Sequence, residues 1–194
     1  MACALGLMTT VQAQVATPKL GKASIKDVVA AMTLEEKIEF IHGIGMGVTG
    51  GGNGPVAGSV SGRGPGAAGL TQTIDRLGIP AIIMADGPAG LRIDTLRQGE
   101  SKRYYTTAFP TGTILASTWN PALIEQVGRV MGNEVKEYGV DVLLAPGVNI
   151  QRNLLCGRNY EYYSEDPFLT GRIGAAFVNG VQSNGVGTSV KHFA

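Results

Sequence analysis

Cysteine and histidine are both scarce: two cysteines, Cys3 and Cys156, and two histidines, His42 and His192, in 194 residues. That excludes a disulfide-stapled scaffold and, with no clustered carboxylates, leaves no evident set of three metal ligands. Cys156 is also a poor candidate nucleophile, because neither histidine lies near it in sequence to act as its base. An excess of either charge is missing too, with 16 Lys plus Arg against 15 Asp plus Glu. The chain therefore has no basic footprint for nucleic acid and no polybasic patch for a membrane. No stretch approaches the ~20 apolar residues that a membrane span needs. Internal repeats and coiled-coil heptads are absent. A neutral, hydroxyl-rich ligand suits this balance, as does almost any small molecule.

What is present suits a packed globular chain: 44% hydrophobic and 16% charged residues, long enough for one sizeable domain. The first charged residue is Lys19. Before it, Ala4–Val11 is mildly apolar, and Val11-Gln12-Ala13 has the small-x-Ala shape of a signal-peptidase site. The usual positive n-region is missing, as it would be if the leader began further upstream. Residues 1–18 are expected to be a signal peptide or N-terminal tail, residues 19–194 the start of a globular domain, and the protein to be exported to the periplasm or beyond. With the leader removed one cysteine remains, and no internal disulfide can form.

Local signals punctuate the rest. Thr33-Leu34-Glu35-Glu36 is a capping box opening a short helix through Ile41. Gly43–Gly69 is rich in Gly, Ser and Pro and reads as a long loop. Leu70–Leu77 is expected to be a brief helix stopped by Gly78, followed by a strand over Ile79–Ala85. Asn120-Pro121 is an N-cap with proline at the first helical position. Behind it Leu123, Ile124, Val127, Val130, Met131 and Val135 mark one face, and Gly139 ends the helix. Asp166-Pro167 repeats the device, with Phe168, Leu169, Ile173, Phe177 and Val181 as the stripe. Strands over Val140–Ala145 and Val186–Val190 flank that second helix. Near-continuous apolar strands alternating with helices predict an α/β architecture of parallel strands covered by helices.

Three polar sites share one plan. Asp86 follows the strand Ile79–Ala85, Arg158 lies in the loop after Val140–Ala145, and Lys191-His192 comes off Val186–Val190. Strands that repeatedly deliver polar groups at their C-terminal ends are how an α/β barrel builds an active site. Asp86, in Asp86-Gly87-Pro88-Ala89-Gly90, suits equally a turn-stabilising aspartate and a carboxylate accepting from vicinal hydroxyls. In Gly157–Pro167, Asp166 reads as a helix cap with Ser164 and Glu165 in the same turn. Arg158 has no such duty, and a guanidinium can hold paired oxygens of a carboxylate or a sugar. The surrounding tyrosines floor a sugar ring or, the better-supported reading, pack the loop down. Lys191 and His192 alternate across a strand, yet at its end both can reach one cleft.

A rival motif is Gly64-Pro65-Gly66-Ala67-Ala68-Gly69, which fits the dinucleotide fingerprint, precedes an expected helix and has Asp86 at about the right distance. The strand required before it is missing, since Val48–Arg63 is glycine-rich. Gly45–Gly50 fits the same pattern with neither flank correct. A nucleotide-binding α/β domain thus stays as an alternative, beside a non-catalytic sugar-binding module.

Together, Asp86-Gly87-Pro88-Ala89-Gly90-Leu91-Arg92, Leu144–Pro167 and Lys191-His192-Phe193 resemble the family 3 glycoside hydrolases, the group of β-glucosidases and β-xylosidases. The likeness runs from about Met32 to Ala194. It implies the first part of a (β/α)8 TIM-type barrel, unclosed at Ala194, in an exo-acting, retaining β-glycosidase that needs no metal or cofactor. It implies that Asp86, Arg158, Lys191 and His192 bind hydroxyls of the non-reducing sugar of a β-linked oligosaccharide or glycoside. The family's aspartate nucleophile lies beyond Lys-His-Phe and its acid/base glutamate in a following domain. No catalytic carboxylate is therefore expected in these residues, and the chain alone is expected to be inactive. Leu154 stands where members usually carry proline and Gln151 where they often carry histidine, so a less rigid loop before Arg158 is expected. Phe193-Ala194 in place of the Pro-Gly-His-Gly run of the β-N-acetylglucosaminidases favours the glucosidase or xylosidase branch.

Overall fold

The computed structural model describes residues 16–43, 64–97 and 99–192. The expected leader falls almost wholly outside the described residues, as does most of the Gly43–Gly69 loop.

Two short helices come first. In α1 (Ile25–Ala31) the Ser24 hydroxyl accepts from the Asp27 amide at 3.1 Å. In α2 (Leu34–His42) both bonds of the capping box form: the Glu36 amide donates to Thr33 Oγ1 at 3.1 Å, and the Thr33 amide to Glu36 Oε2 at 2.9 Å. Arg76 then donates to Glu36 and to the Ala31 carbonyl, pinning these helices over a small cluster of Val28, Ile74 and Leu77.

The sheet has four strands in the order β1 (Gly69–Leu70), β2 (Ile83–Asp86), β3 (Val142–Leu144) and β4 (Gly187–Thr188). The last three run parallel, with Ala85 beside Leu143 and Leu143 beside Thr188. Asp141 sets the register: its carboxylate accepts from the Ile83 amide at 2.8 Å and its carbonyl from Gly187 at 2.8 Å. β1 is antiparallel to β2 and adds an edge to the expected parallel strands. The brief helix expected over Leu70–Leu77 is corrected with it, to strand β1 and a 3-10 turn at Asp75–Leu77. The Thr71 amide donates to the Ile82 carbonyl at 3.0 Å, and Thr71 Oγ1 accepts from the Ile82 amide at 2.9 Å. A helix starting at Leu70 would forfeit both bonds. The dinucleotide reading loses its required helix after Gly69 for the same reason.

Helices α4 (Pro121–Glu137) and α5 (Pro167–Gln182) cover the parallel strands. Asn120 and Asp166 cap them as expected, accepting from Leu123 at 3.1 Å and Phe168 at 2.8 Å. Ile124, Met131 and Val135 of α4 and Ile173, Phe177 and Val181 of α5 are fully buried with Leu143 in one core. The stripes are narrower than the periodicity suggested, because Leu123, Val130 and Phe168 stay exposed. The two helices cross closely. Gly128, Gly132 and Gly180 lie between the helices, and a Cβ at Gly180 would stand 2.1 Å from the Glu125 carbonyl oxygen.

Candidate active site

The three parallel strands end on one side, and each hands over a polar group there. Asp86 is the last residue of β2, and the Gly87–Gly90 turn folds the chain back so that the Arg92 amide donates to the Asp86 carbonyl at 2.9 Å. Lys191 lies three residues past β4 and forms a parallel bridge with Gly147. Its amide donates to the Pro146 carbonyl at 3.0 Å, and its carbonyl accepts from Val148 at 2.7 Å. Asn149 clamps the next residue, accepting from the His192 amide at 2.7 Å and donating to the His192 carbonyl at 3.3 Å.

These backbones bring distant side chains together. Lys191 Nζ donates to Asp86 Oδ1 at 2.5 Å, across 105 residues of sequence. The ammonium is 18% exposed and the carboxylate 35%, so the pair sits at the mouth of the sheet, partly screened by water. Arg92 Nη1 stands 3.7 Å from the other carboxylate oxygen. Arg158 Nε donates to Glu161, and Arg158 Nη2 lies 2.9 Å from His192 Nε2. A guanidinium can only donate, so Nε2 accepts and the ring proton is on Nδ1, which lies 3.4 Å from the Tyr162 hydroxyl. Burial first, then the Arg158 and Lys191 cations, push the His192 pKa down, favouring the neutral ring. The Glu161 hydrogen bond raises that of Arg158, which stays cationic.

A cavity of about 400 Å³ opens here, lined by Asp86, the Gly87–Gly90 turn, Arg92, Arg158, Tyr160 and Glu161. Lys191 and His192 join it through their bonds to Asp86 and Arg158 rather than as lining. The four residues singled out in the sequence thus form two linked pairs at one strand-end surface. The Asp86 carboxylate meets Lys191 and Arg92 rather than the backbone of its own turn. Of the three tyrosines, Tyr162 and Tyr163 are buried and pack the loop, while Tyr160 is exposed on the cavity.

Arg92, Glu161 and Asn149 were not anticipated as site residues. Arg92 stood within the recognised motif, and Glu161 three residues after Arg158 had the spacing of a turn ion pair. Asn149 carried no signal, since its role depends on β4 lying alongside. Each carboxylate at the cavity is matched by a cation, an arrangement suited to binding rather than to a carboxyl kept protonated by apolar surroundings. Cations and carboxylates around so small a space offer donors and acceptors to adjacent hydroxyls of a polyol. Gln151 Nε2 reaches past the loop before Arg158 to the turn behind it, at 2.8 Å from the Asn159 carbonyl and 3.0 Å from that of Tyr162. Among the described residues no cluster of His, Cys, Asp and Glu could hold a metal ion, and no helix is long and apolar enough to cross a membrane.

Residues 67–194 match the family profile described as glycosyl hydrolase family 3 N terminal domain. The thermostable beta-glucosidase B of Acetivibrio thermocellus is 39% identical over 173 residues, covering 88% of this chain and 20% of that protein. An exo-alpha-(1->6)-L-arabinopyranosidase of Bifidobacterium longum is 48% identical over 127 residues, covering 63% of this chain and 17% of its own length. The chain spans a fifth or less of these curated relatives. The structure of beta-glucosidase 3B from Thermotoga neapolitana in complex with alpha-D-glucose superposes with a TM-score of 0.75 at 53% identity, over 87% of this chain and 22% of that one. The open α/β sheet is accordingly the opening portion of a TIM-type barrel, and the chain belongs to glycosyl hydrolase family 3, within its N-terminal domain.

Proposed function

We propose that the whole protein containing this chain is a retaining, exo-acting β-glycosidase that releases terminal β-D-glucosyl residues. The observation that carries this reading is the meeting of Asp86 with Lys191 and of Arg158 with His192 at the ends of three parallel strands. In it, Asp86 accepts from sugar hydroxyls, Lys191 and Arg158 donate to them, and neutral His192 exchanges its present contacts for one hydroxyl. Contacts of this kind that tighten toward an oxocarbenium-like transition state contribute to rate as well as affinity. The nucleophile and the acid/base, two carboxyl groups about 5–5.5 Å apart in retaining enzymes, would come from outside these residues. Export to the periplasm or the medium belongs to the same proposal, supported by the composition before Lys19.

A second substrate has one observation in its favour. The Bifidobacterium longum relative is named for an L-arabinopyranoside, so xylose is not the only pyranose to weigh against glucose. The test is hydrolysis by the full-length protein of aryl β-D-glucoside, β-D-xyloside and α-L-arabinopyranoside, with the first product anomer followed by NMR. Glucoside should be cleaved with the highest kcat/KM and release β-glucose first. Preference for another glycoside would replace the substrate, and release of α-glucose from the β-glucoside would remove the retaining mechanism. Cell fractionation and N-terminal sequencing check export.

A further inference from the structure

Gln151 and Thr113 line no part of the cavity, yet both are bound to the turn that presents its cation. That turn, a 3-10 helix at Asn159–Glu161, begins directly after Arg158. The Asn159 carbonyl accepts from the Tyr162 amide at 3.1 Å, but a helix this short supplies no such partner for the carbonyls that follow. Further donors come from two other elements. Gln151 Nε2 lies 2.8 Å from the Asn159 carbonyl oxygen, 3.0 Å from that of Tyr162 and 3.1 Å from Thr113 Oγ1. Thr113 Oγ1, in the first turn of α3 (Gly112–Ala116), lies 3.1, 3.2 and 2.9 Å from the carbonyl oxygens of Asn159, Tyr160 and Tyr162. Two amide hydrogens and one hydroxyl hydrogen thus face three carbonyls.

The fit leaves no slack. At Gly112 an added Cβ would stand 2.3 Å from the Glu161 carbonyl oxygen, so the backbones of α3 and the turn touch directly. The Gln151 backbone N–H donates to the Ser164 carbonyl at 3.2 Å, fixing the glutamine to the far side of the same loop. With the turn held, Glu161 is placed to accept a hydrogen bond from Arg158 Nε, leaving Arg158 Nη2 at His192.

We propose that Gln151 and Thr113 are positioning residues for the sugar-hydroxyl site, acting through Arg158. Held by the clamp, the guanidinium meets substrate already oriented. Without it, the Tyr160 and Tyr162 carbonyls seek water and the cation must be ordered on binding. This rests on the glycosidase reading above.

The test is steady-state kinetics of the full-length protein on an aryl β-D-glucoside, as a double-mutant cycle between Gln151→Ala and Arg158→Ala with melting curves on every variant. Gln151→Ala is expected to lower kcat/KM about tenfold, chiefly through KM, as the loss of two neutral hydrogen bonds would. Arg158→Ala should then cost much less in the Gln151→Ala background than in wild type, because the cation was already displaced. Thr113→Val should behave like Gln151→Ala, and Thr113→Ser, which keeps the hydroxyl, should recover most of the loss. Should Gln151→Ala fail to fold, the cycle is run with Thr113→Val and has the same two outcomes. A change within about twofold, or losses that simply add, overturns the proposal while an active wild type leaves the glycosidase reading standing. A wild type inactive on every glycoside overturns that reading and this inference with it.

Discussion

At the scale of single residues, the site works by pairing charges that water alone would separate. Lys191 is mostly covered, and its ammonium would be costly there without the Asp86 carboxylate. Asp86→Ala therefore removes a sugar acceptor and strands a cation. At about 1.5–3 kcal/mol per charged hydrogen bond, kcat/KM of the full-length protein should fall roughly ten- to hundredfold. Asp166→Ala makes the contrast, because its carboxylate caps α5. It should cost about 1 kcal/mol of stability and leave KM largely unchanged, as kinetics and melting curves on both variants would read. His192 supplies a pH dependence. Its folded pKa lies below the ordinary 6.5, so the unfolded chain binds more protons between those two values. Stability tied to the neutral ring is complete above the unfolded value and is lost as pH falls through the folded one. Wild type should lose more melting temperature than His192→Gln between about pH 7.5 and pH 5, and parallel curves would remove this role.

Among elements, α4 and α5 decide how closely the barrel wall packs, and they do so through what they lack. Gly128 and Gly180 let the two backbones approach, and each Cβ added there would meet a carbonyl oxygen, at 2.5 Å and 2.1 Å. Helix propensity alone would favour alanine at both positions by about 1 kcal/mol. Packing outweighs it: Gly180→Ala should destabilise by about 1–3 kcal/mol through overpacking. Gly171→Ala, in the same helix with nothing within 4 Å of its added Cβ, should instead stabilise by about 0.5–1 kcal/mol. Urea denaturation of the two variants against wild type measures both signs, and equal shifts would show that the crossing tolerates separation.

For the whole molecule, the edge of the sheet matters most. β4 pairs with β3 on one side only among the described residues, and Val190 just beyond it is 57% exposed. Beside it an apolar groove of about 420 Å³ runs between α5 and the segment after β3, lined by Pro146, Val148, Ile150, Ala175, Val178 and Val190. An unpaired strand edge next to uncovered apolar surface promotes self-association. The 194-residue chain purified alone should sediment as more than a monomer and bind a hydrophobic dye. A monodisperse monomer with a sharp melt would show that these residues satisfy their own surface.

Much of this was legible in the residues because it is local. The Thr33 capping box, the Asn120 and Asp166 caps with proline behind them, and the apolar runs at Leu143 and Ala85 depend on neighbours a few positions away, so sequence spacing determines them. The order of motifs determined the family, and the strand ends leading to Asp86, Arg158, Lys191 and His192 determined the candidate polar groups. Tertiary structure decided the rest. Leu70–Leu77 is strand and 3-10 turn because Thr71 bonds to Ile82 across a hairpin that local propensity cannot register. The close crossing of α4 and α5 at Gly128 and Gly180 is likewise set by two helices together. The pairing of Asp86 with Lys191, and the hold of Thr113 and Gln151 on the Arg158 turn, span separations at which a sequence specifies candidates but no partners. The parallel register of β2, β3 and β4 brings Asp86 and Lys191 within hydrogen-bonding reach.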